Sequence, residues 1–179
     1  MIEILATLSA SAAAGIRIGV PLLIMGLLQG SNFWSNVPVL SNISSPVLLG
    51  CLISWSLVEL FASKKLWGQR ILQIIQLLLS PLVGAIMGLA VASATATPHW
   101  LIILIGSLLA LVLQLVQVGW FYRLRGLPLW AVFLQDTLCI ALVLFAFDAP
   151  WQGGVIALIL LWFAVRSAKV WYRWYHKKV

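Results

Sequence analysis

Acidic side chains are almost missing from this sequence: Glu3, Glu59, Asp136 and Asp148 are the four among 179 residues. Charged residues of both signs make up only 8%, where a soluble domain carries roughly a quarter. So little charge cannot cover the surface of a soluble protein, and hydrophobic residues, at 63%, are too many for one core of this size. The surplus must face lipid. Cysteine is scarce as well. Cys51 and Cys139 lie far apart inside apolar runs, with no histidine near either. That argues against a disulfide framework or zinc site and predicts two buried small apolar side chains. No polar stretch is long enough for a second soluble domain.

Catalytic signatures are missing too. There is no His-Glu-x-x-His, no Gly-x-Ser-x-Gly, no phosphate-cradling loop and no group of acids near a histidine. His99 follows Pro98 in an expected outer turn, and His176 lies in a basic tail. The chain is therefore expected not to be an enzyme and to hold no metal or cofactor. A cleavable signal is not expected, because Met1-Ile2-Glu3 places no basic residue before the apolar run, although Ala10-Ser11-Ala12 imitates a cleavage site.

What is present is a series of apolar runs of about 20 residues. They fall at approximately 4–29, 46–63, 71–95, 100–121, 128–147 and 151–170. Ser45-Pro46 and Pro128 resemble helix openings, while Thr97-Pro98 and Asp148-Ala149-Pro150 separate neighbouring runs. Runs this long are helices rather than barrel strands. The predicted class is an all-α polytopic membrane bundle of about six transmembrane helices. It divides into a six-helix domain over 1–170 and a basic, aromatic cytoplasmic tail over 171–179.

Orientation comes from the cations. The connections at 30–45, 96–99 and 148–150 hold none. Alternate connections hold Lys64, Lys65 and Arg70, then Arg123 and Arg125, and the tail holds Arg166, Lys169, Arg173, Lys177 and Lys178. Ten of the eleven basic residues thus fall on one side, which the positive-inside rule makes cytoplasmic. This placement also explains the net charge of +7 without a nucleic-acid partner. Six crossings would put both termini inside.

The eleventh cation, Arg17, lies within the first run. A charge in mid-membrane costs at least ~2.5 kcal/mol and demands a partner or water. Glu59, Asp136, Gln73, Gln76, Gln114 and Gln117 also lie within runs. At ~1.5 Å rise per residue, Glu59, Gln76 and Gln117 fall ~8–9 Å from the cytoplasmic markers, Gln114 ~14 Å and Asp136 ~16 Å. Arg17 falls ~21 Å from Glu3 on the same rise. Depth favours Asp136 as its counter-ion; Glu59 competes only if the first helix starts near Ser9. These groups make either a polar site open to the cytoplasm or a set of interhelical bonds fixing the bundle. Glu59, one turn from Lys64, has snorkelling as a further alternative.

Small residues form two stripes: Thr7, Ser11, Gly15 and Gly19, and Gln76, Ser80, Gly84, Gly88 and Ala92. Each spacing of four keeps one helix face, so the first and third helices are expected to pack closely, with a homo-oligomer contact as rival. Pro21 and Pro81 interrupt the same two helices, freeing the carbonyls of Arg17 and Leu77. Paired Gly/Pro-interrupted spans can mark a transporter site, though these two run in the same direction and form no inverted repeat. In the tail, Arg166, Lys169, Arg173 and Lys177 make one basic stripe among Trp and Tyr. It suits anionic lipid headgroups or an acidic partner, or serves simply as an orientation anchor.

Several features recur together: Gly15 to Pro21, Glu59 closing the second run, Ala62 and Lys64 in a basic loop, then Pro81 with Gly84-Ala85. In these the first half of the chain resembles a bacterial membrane family known as domain of unknown function 4126. The resemblance implies asparagine at the position of Arg17, arginine at Ser80 and aspartate at Ser63, so one basic group has moved between adjacent helices. It implies no activity. It places the chain in a bacterial plasma membrane, or a thylakoid for a cyanobacterial member. Two functions remain open: a small permease or channel-like protein, and an accessory or assembly subunit of a larger membrane complex.

Overall fold

The computed structural model describes residues 2–29, 44–62, 66–92, 99–124, 126 and 128–176, with the backbone alone at 29, 45, 66, 92, 124 and from 171 onward. The described residues form seven helices and no strand. In chain order these are α1 (Ile2–Ile16), α2 (Gly19–Gln29), α3 (Ser45–Ala62), α4 (Leu66–Ala92), α5 (His99–Leu124), α6 (Leu129–Asp148) and α7 (Pro150–His176). Four of them, α4 to α7, are long and apolar enough to cross a membrane. Their outer faces expose large apolar side chains, among them Ile74, Leu78, Phe133 and Phe163. A patch of that extent is tolerated only against another apolar phase. The chain is a multi-pass, membrane-embedded protein.

The first apolar run, expected to be one crossing, is instead two short helices. α1 ends at Ile16, Arg17 and Ile18 are non-helical, and α2 begins at Gly19. Pro21 explains the position of the break, because it sits in the first turn of α2 where its missing N–H costs nothing. Pro81, by contrast, remains inside an unbroken α4.

α1 occupies the centre of the bundle and packs against α4, α5, α6 and α7. Ala10, Ser11, Ala12, Ala13 and Ala14 are completely buried, and together they lie on every face of the helix. Small side chains let the four longer helices approach α1 on all sides. Ser11 Oγ donates to the Gly84 carbonyl at 3.0 Å, and Ser9 Oγ to the Leu142 carbonyl at 2.6 Å. A methyl added at Gly15 would stand 2.9 Å from the Ala110 backbone. One at Gly84 would stand 2.6 Å from the Gly106 carbonyl oxygen. The small-residue stripes therefore join α1 to α4 and α5 within one chain.

These contacts also give a direction. Leu5 lies against Gly154, and Thr7 and Ile102 both lie against Gly88, at the end where α4 finishes and α5 and α7 begin. Arg17 instead reaches Asp136 near the start of α6 and lines a cavity with Gln69 at the start of α4. The start of α1 and the end of α7 thus lie at opposite ends of the bundle. That arrangement differs from the expectation of both termini on one side, whose even count treated 4–29 as a single helix.

α2 packs on α3 and α6. Gly19 meets Trp55, Ser56 and Glu59 near the end of α3, so α2 runs antiparallel to it. Ser44, one residue earlier than expected, accepts the first amide bonds of α3. Between α5 and α6, Gly126 takes φ 131° and donates to the Phe121 carbonyl, a conformation that favours glycine. Cys139 is buried, whereas Cys51, expected buried, is exposed on α3. Lys64, Lys65 and Arg125 lie outside the described residues.

Candidate functional site

The helix break gathers most of the polar groups buried in the bundle. A new helix start leaves unpaired N–H groups, which in an apolar surrounding need an acceptor. Glu59 supplies it. Its Oε2 accepts from the Gly19 N–H at 2.9 Å and its Oε1 from the Ile18 N–H at 3.3 Å. The negative carboxylate also suits the positive end of the α2 dipole. Gln76 Nε2 donates to Glu59 Oε1, fixing the side chain from α4. Glu59 is 1% exposed, so it turns inward and does not snorkel.

Arg17 stands on the other side of the break. Its Nε lies 2.8 Å from Asp136 Oδ1, with side-chain exposures of 6% and 20%. Nε nevertheless completes no aligned hydrogen bond; the contact is an ion pair whose N–H points off the oxygen. Of the two acids that depth alone left open, Asp136 pairs with Arg17 and Glu59 caps α2.

The glutamines connect the two halves. Gln114 Nε2 lies within bonding distance of Gln73 Oε1 (3.3 Å) and Gln76 Oε1 (3.4 Å). Arg17, Gln69, Gln73, Gln76, Gln117 and Gln135 line a cavity of about 20 Å³, room for one or two water molecules. Ser80, Ser56 and Trp55 are close by in sequence to these groups, and each has a buried polar atom with no partner among the described residues.

Sequence reasoning singled out Arg17, Glu59, Gln76, Gln114, Gln117 and Asp136, and the structure brings them to one level of the bundle. It missed Gln69 and Gln135, because isolated glutamines near helix ends read as interfacial. The backbone donors of Ile18 and Gly19 were also missed; the signal for them was Gly19 two residues before Pro21. In the basic stripe, Arg166 and Lys169 are exposed on α7, and Arg166 lies over the Trp162 ring at 5.2 Å. The side chain of Arg173, and Lys177 altogether, fall outside the described residues.

No curated protein and no solved structure matches the chain. A family match does exist and extends well past the first half of the sequence, from α1 into α7. Over residues 4–170, the chain belongs to the family described as Domain of unknown function (DUF4126).

Proposed function

We propose that the chain is a small permease or channel-like protein for monovalent cations, protons included, working at the α1/α2 break. The observation that carries this reading is the charge balance there. One guanidinium, Arg17, pairs with the carboxylate of Asp136, and a second carboxylate, Glu59, caps α2 at the same break. The small cavity beside them is lined by Arg17, carboxamides and apolar side chains. With all three ionised, the group holds one excess negative charge in a low-dielectric setting. A proton or monovalent cation would neutralise it. Keeping such charges inside a membrane is expensive, and a bundle held only by packing would have no need of them. Interrupted helices whose ends face charged groups are also a recurring arrangement at transport sites.

The proposed orientation follows from the cations. Arg70, Arg123 and Arg166 belong to the end of the bundle near Arg17, and the positive-inside rule makes that end cytoplasmic. The start of α1 then faces the opposite compartment. Reconstitution into liposomes tests the function. Proton, sodium and potassium fluxes are measured with ion-sensitive dyes under imposed gradients. Flux of at least one ion should exceed that of empty vesicles, and Glu59→Gln, which retains an acceptor for α2, should lower it at least tenfold. Flux indistinguishable from empty vesicles for all three ions would falsify the reading.

The closed interior favours a second reading, a non-catalytic accessory or assembly subunit. Arg17 is paired and the cavity holds no more than a water or two. Native gels after mild detergent extraction decide it: migration with partner proteins supports the subunit, and migration alone removes it.

A further inference from the structure

At the end of the bundle carrying Arg123 and Arg166, α5 and α6 do not close on one another. A groove of about 510 Å³ opens between them, with α7 as its other wall and Ile16 of α1 at its inner side. Along α5 it extends from Leu113 to Arg123, and along α7 from Leu160 to Val170. Ten residues of helix rise ~15 Å, half of a hydrocarbon core of ~30 Å. The groove is therefore as long as one leaflet is deep. Its wall is apolar except at Gln117, Gln135, Ser167, the two tryptophan rims and the two arginines.

A second groove of about 260 Å³ lies beside it. The two share Val116, Trp120, Arg123 and Ser167. Trp120 Nε1 donates to Ser167 Oγ at 2.7 Å, so a hydrogen-bonded bridge from α5 to α7 forms the ridge between them. No acidic residue lines either groove.

We propose that this is a binding site for a diacyl phospholipid with an anionic headgroup, one acyl chain in each groove astride the Trp120–Ser167 bridge. Arg123, common to both grooves, meets the phosphate, and Arg166 adds charge on the side of the larger groove. Arginine pairs with phosphate through two parallel N–H donors. Tryptophans at the rim suit the headgroup level. Basic pockets between membrane helices hold anionic headgroups for the same reasons. The site is separate from the helix break, and its existence does not depend on ion flux.

Native mass spectrometry of the full chain in mild detergent tests it. The protein is incubated with equal amounts of phosphatidylglycerol and phosphatidylcholine of the same chain length. Retained phosphatidylglycerol should exceed phosphatidylcholine about tenfold and exceed lyso-phosphatidylglycerol by a similar factor. In Arg123→Gln/Arg166→Gln the headgroup preference should vanish. Ala131→Trp, which fills the larger groove and leaves both arginines in place, should reduce retention of the diacyl lipid while the variant elutes as wild type does. Equal retention of the two headgroups, or a preference surviving the double substitution, would overturn the proposal. So would equal binding of the lyso-lipid, or lipid-free dimers showing that a second copy covers the grooves.

Discussion

Arg17 and Asp136 illustrate how a buried charge chooses its partner. Arg17 is 5% exposed and its cavity has room for no more than a water or two, so its free energy rests chiefly on the carboxylate 2.8 Å away. Removing one member of a buried pair strands the other and costs ~3–5 kcal/mol. The lower end applies here, because a fifth of Asp136 is open and the contact is off-axis. Asp136→Ala should therefore lose about 3 kcal/mol, measured as a fall in the detergent melting temperature. Arg17→Ala/Asp136→Ala should recover much of it, since neither charge is then stranded. Additive losses in that cycle would show that the two side chains do not interact. Helix rise favoured Asp136 only for a chain entering from the basic side; with the opposite entry Arg17 falls nearer the depth of Glu59. The sequence thus supplied the two candidate acids and the structure the choice between them. The role of Glu59 was not legible: nothing in its surroundings in the chain reveals a helix start 40 residues away.

At the level of elements, two prolines in similar settings have different consequences. Pro81 stays within α4, whereas α2 starts anew two residues before Pro21. What distinguishes them is the neighbour across the gap. The Glu59 carboxylate accepts the two amides that the break exposes, and Gly19 permits α3 to come that close. Such a partner is a tertiary fact, and local sequence carries only the proline and the glycine. A better clue to the fold lay in α1 itself, where alanine, serine and glycine occupy all faces. A helix lined with small residues all round belongs at the centre of a bundle. The seams make a sharp prediction. Gly84→Ala pushes a methyl to 2.6 Å from the Gly106 carbonyl oxygen, against the α5 backbone, and should lower the melting temperature by an amount equivalent to about 1–3 kcal/mol. Gly50→Ala meets nothing within 4 Å and should be neutral or stabilise α3 by up to ~1 kcal/mol. Equal effects at the two sites would contradict the packing described.

For the whole molecule, composition and cation placement were enough to specify membrane helices and the end of the bundle that carries the charge. They could not specify the number of turns, because an apolar run of 26 residues is the same string whether the chain continues through it or breaks at Arg17. The consequence reaches beyond counting. On the proposed orientation, with α1 entering from the end opposite the cations, Arg17 would lie ~21 Å from Glu3 and so ~9 Å from the basic side of a ~30 Å core. That is the depth estimated for Gln76 and Gln117, which share its cavity. An N-terminus on the basic side would instead place Arg17 well above them. The two glutamines favour entry from the other face, while Asp136, at ~16 Å, lies between the two depths for Arg17. Single cysteines distinguish the two topologies, introduced as Glu3→Cys or Lys178→Cys after Cys51 and Cys139 are replaced by alanine. In intact cells a membrane-impermeant maleimide should label the first and spare the second, which should react only once the membrane is opened. Protection of both until lysis would return the two termini to one side, and the packing of α1 against Gly88 and Gly154 would then have to be abandoned with it.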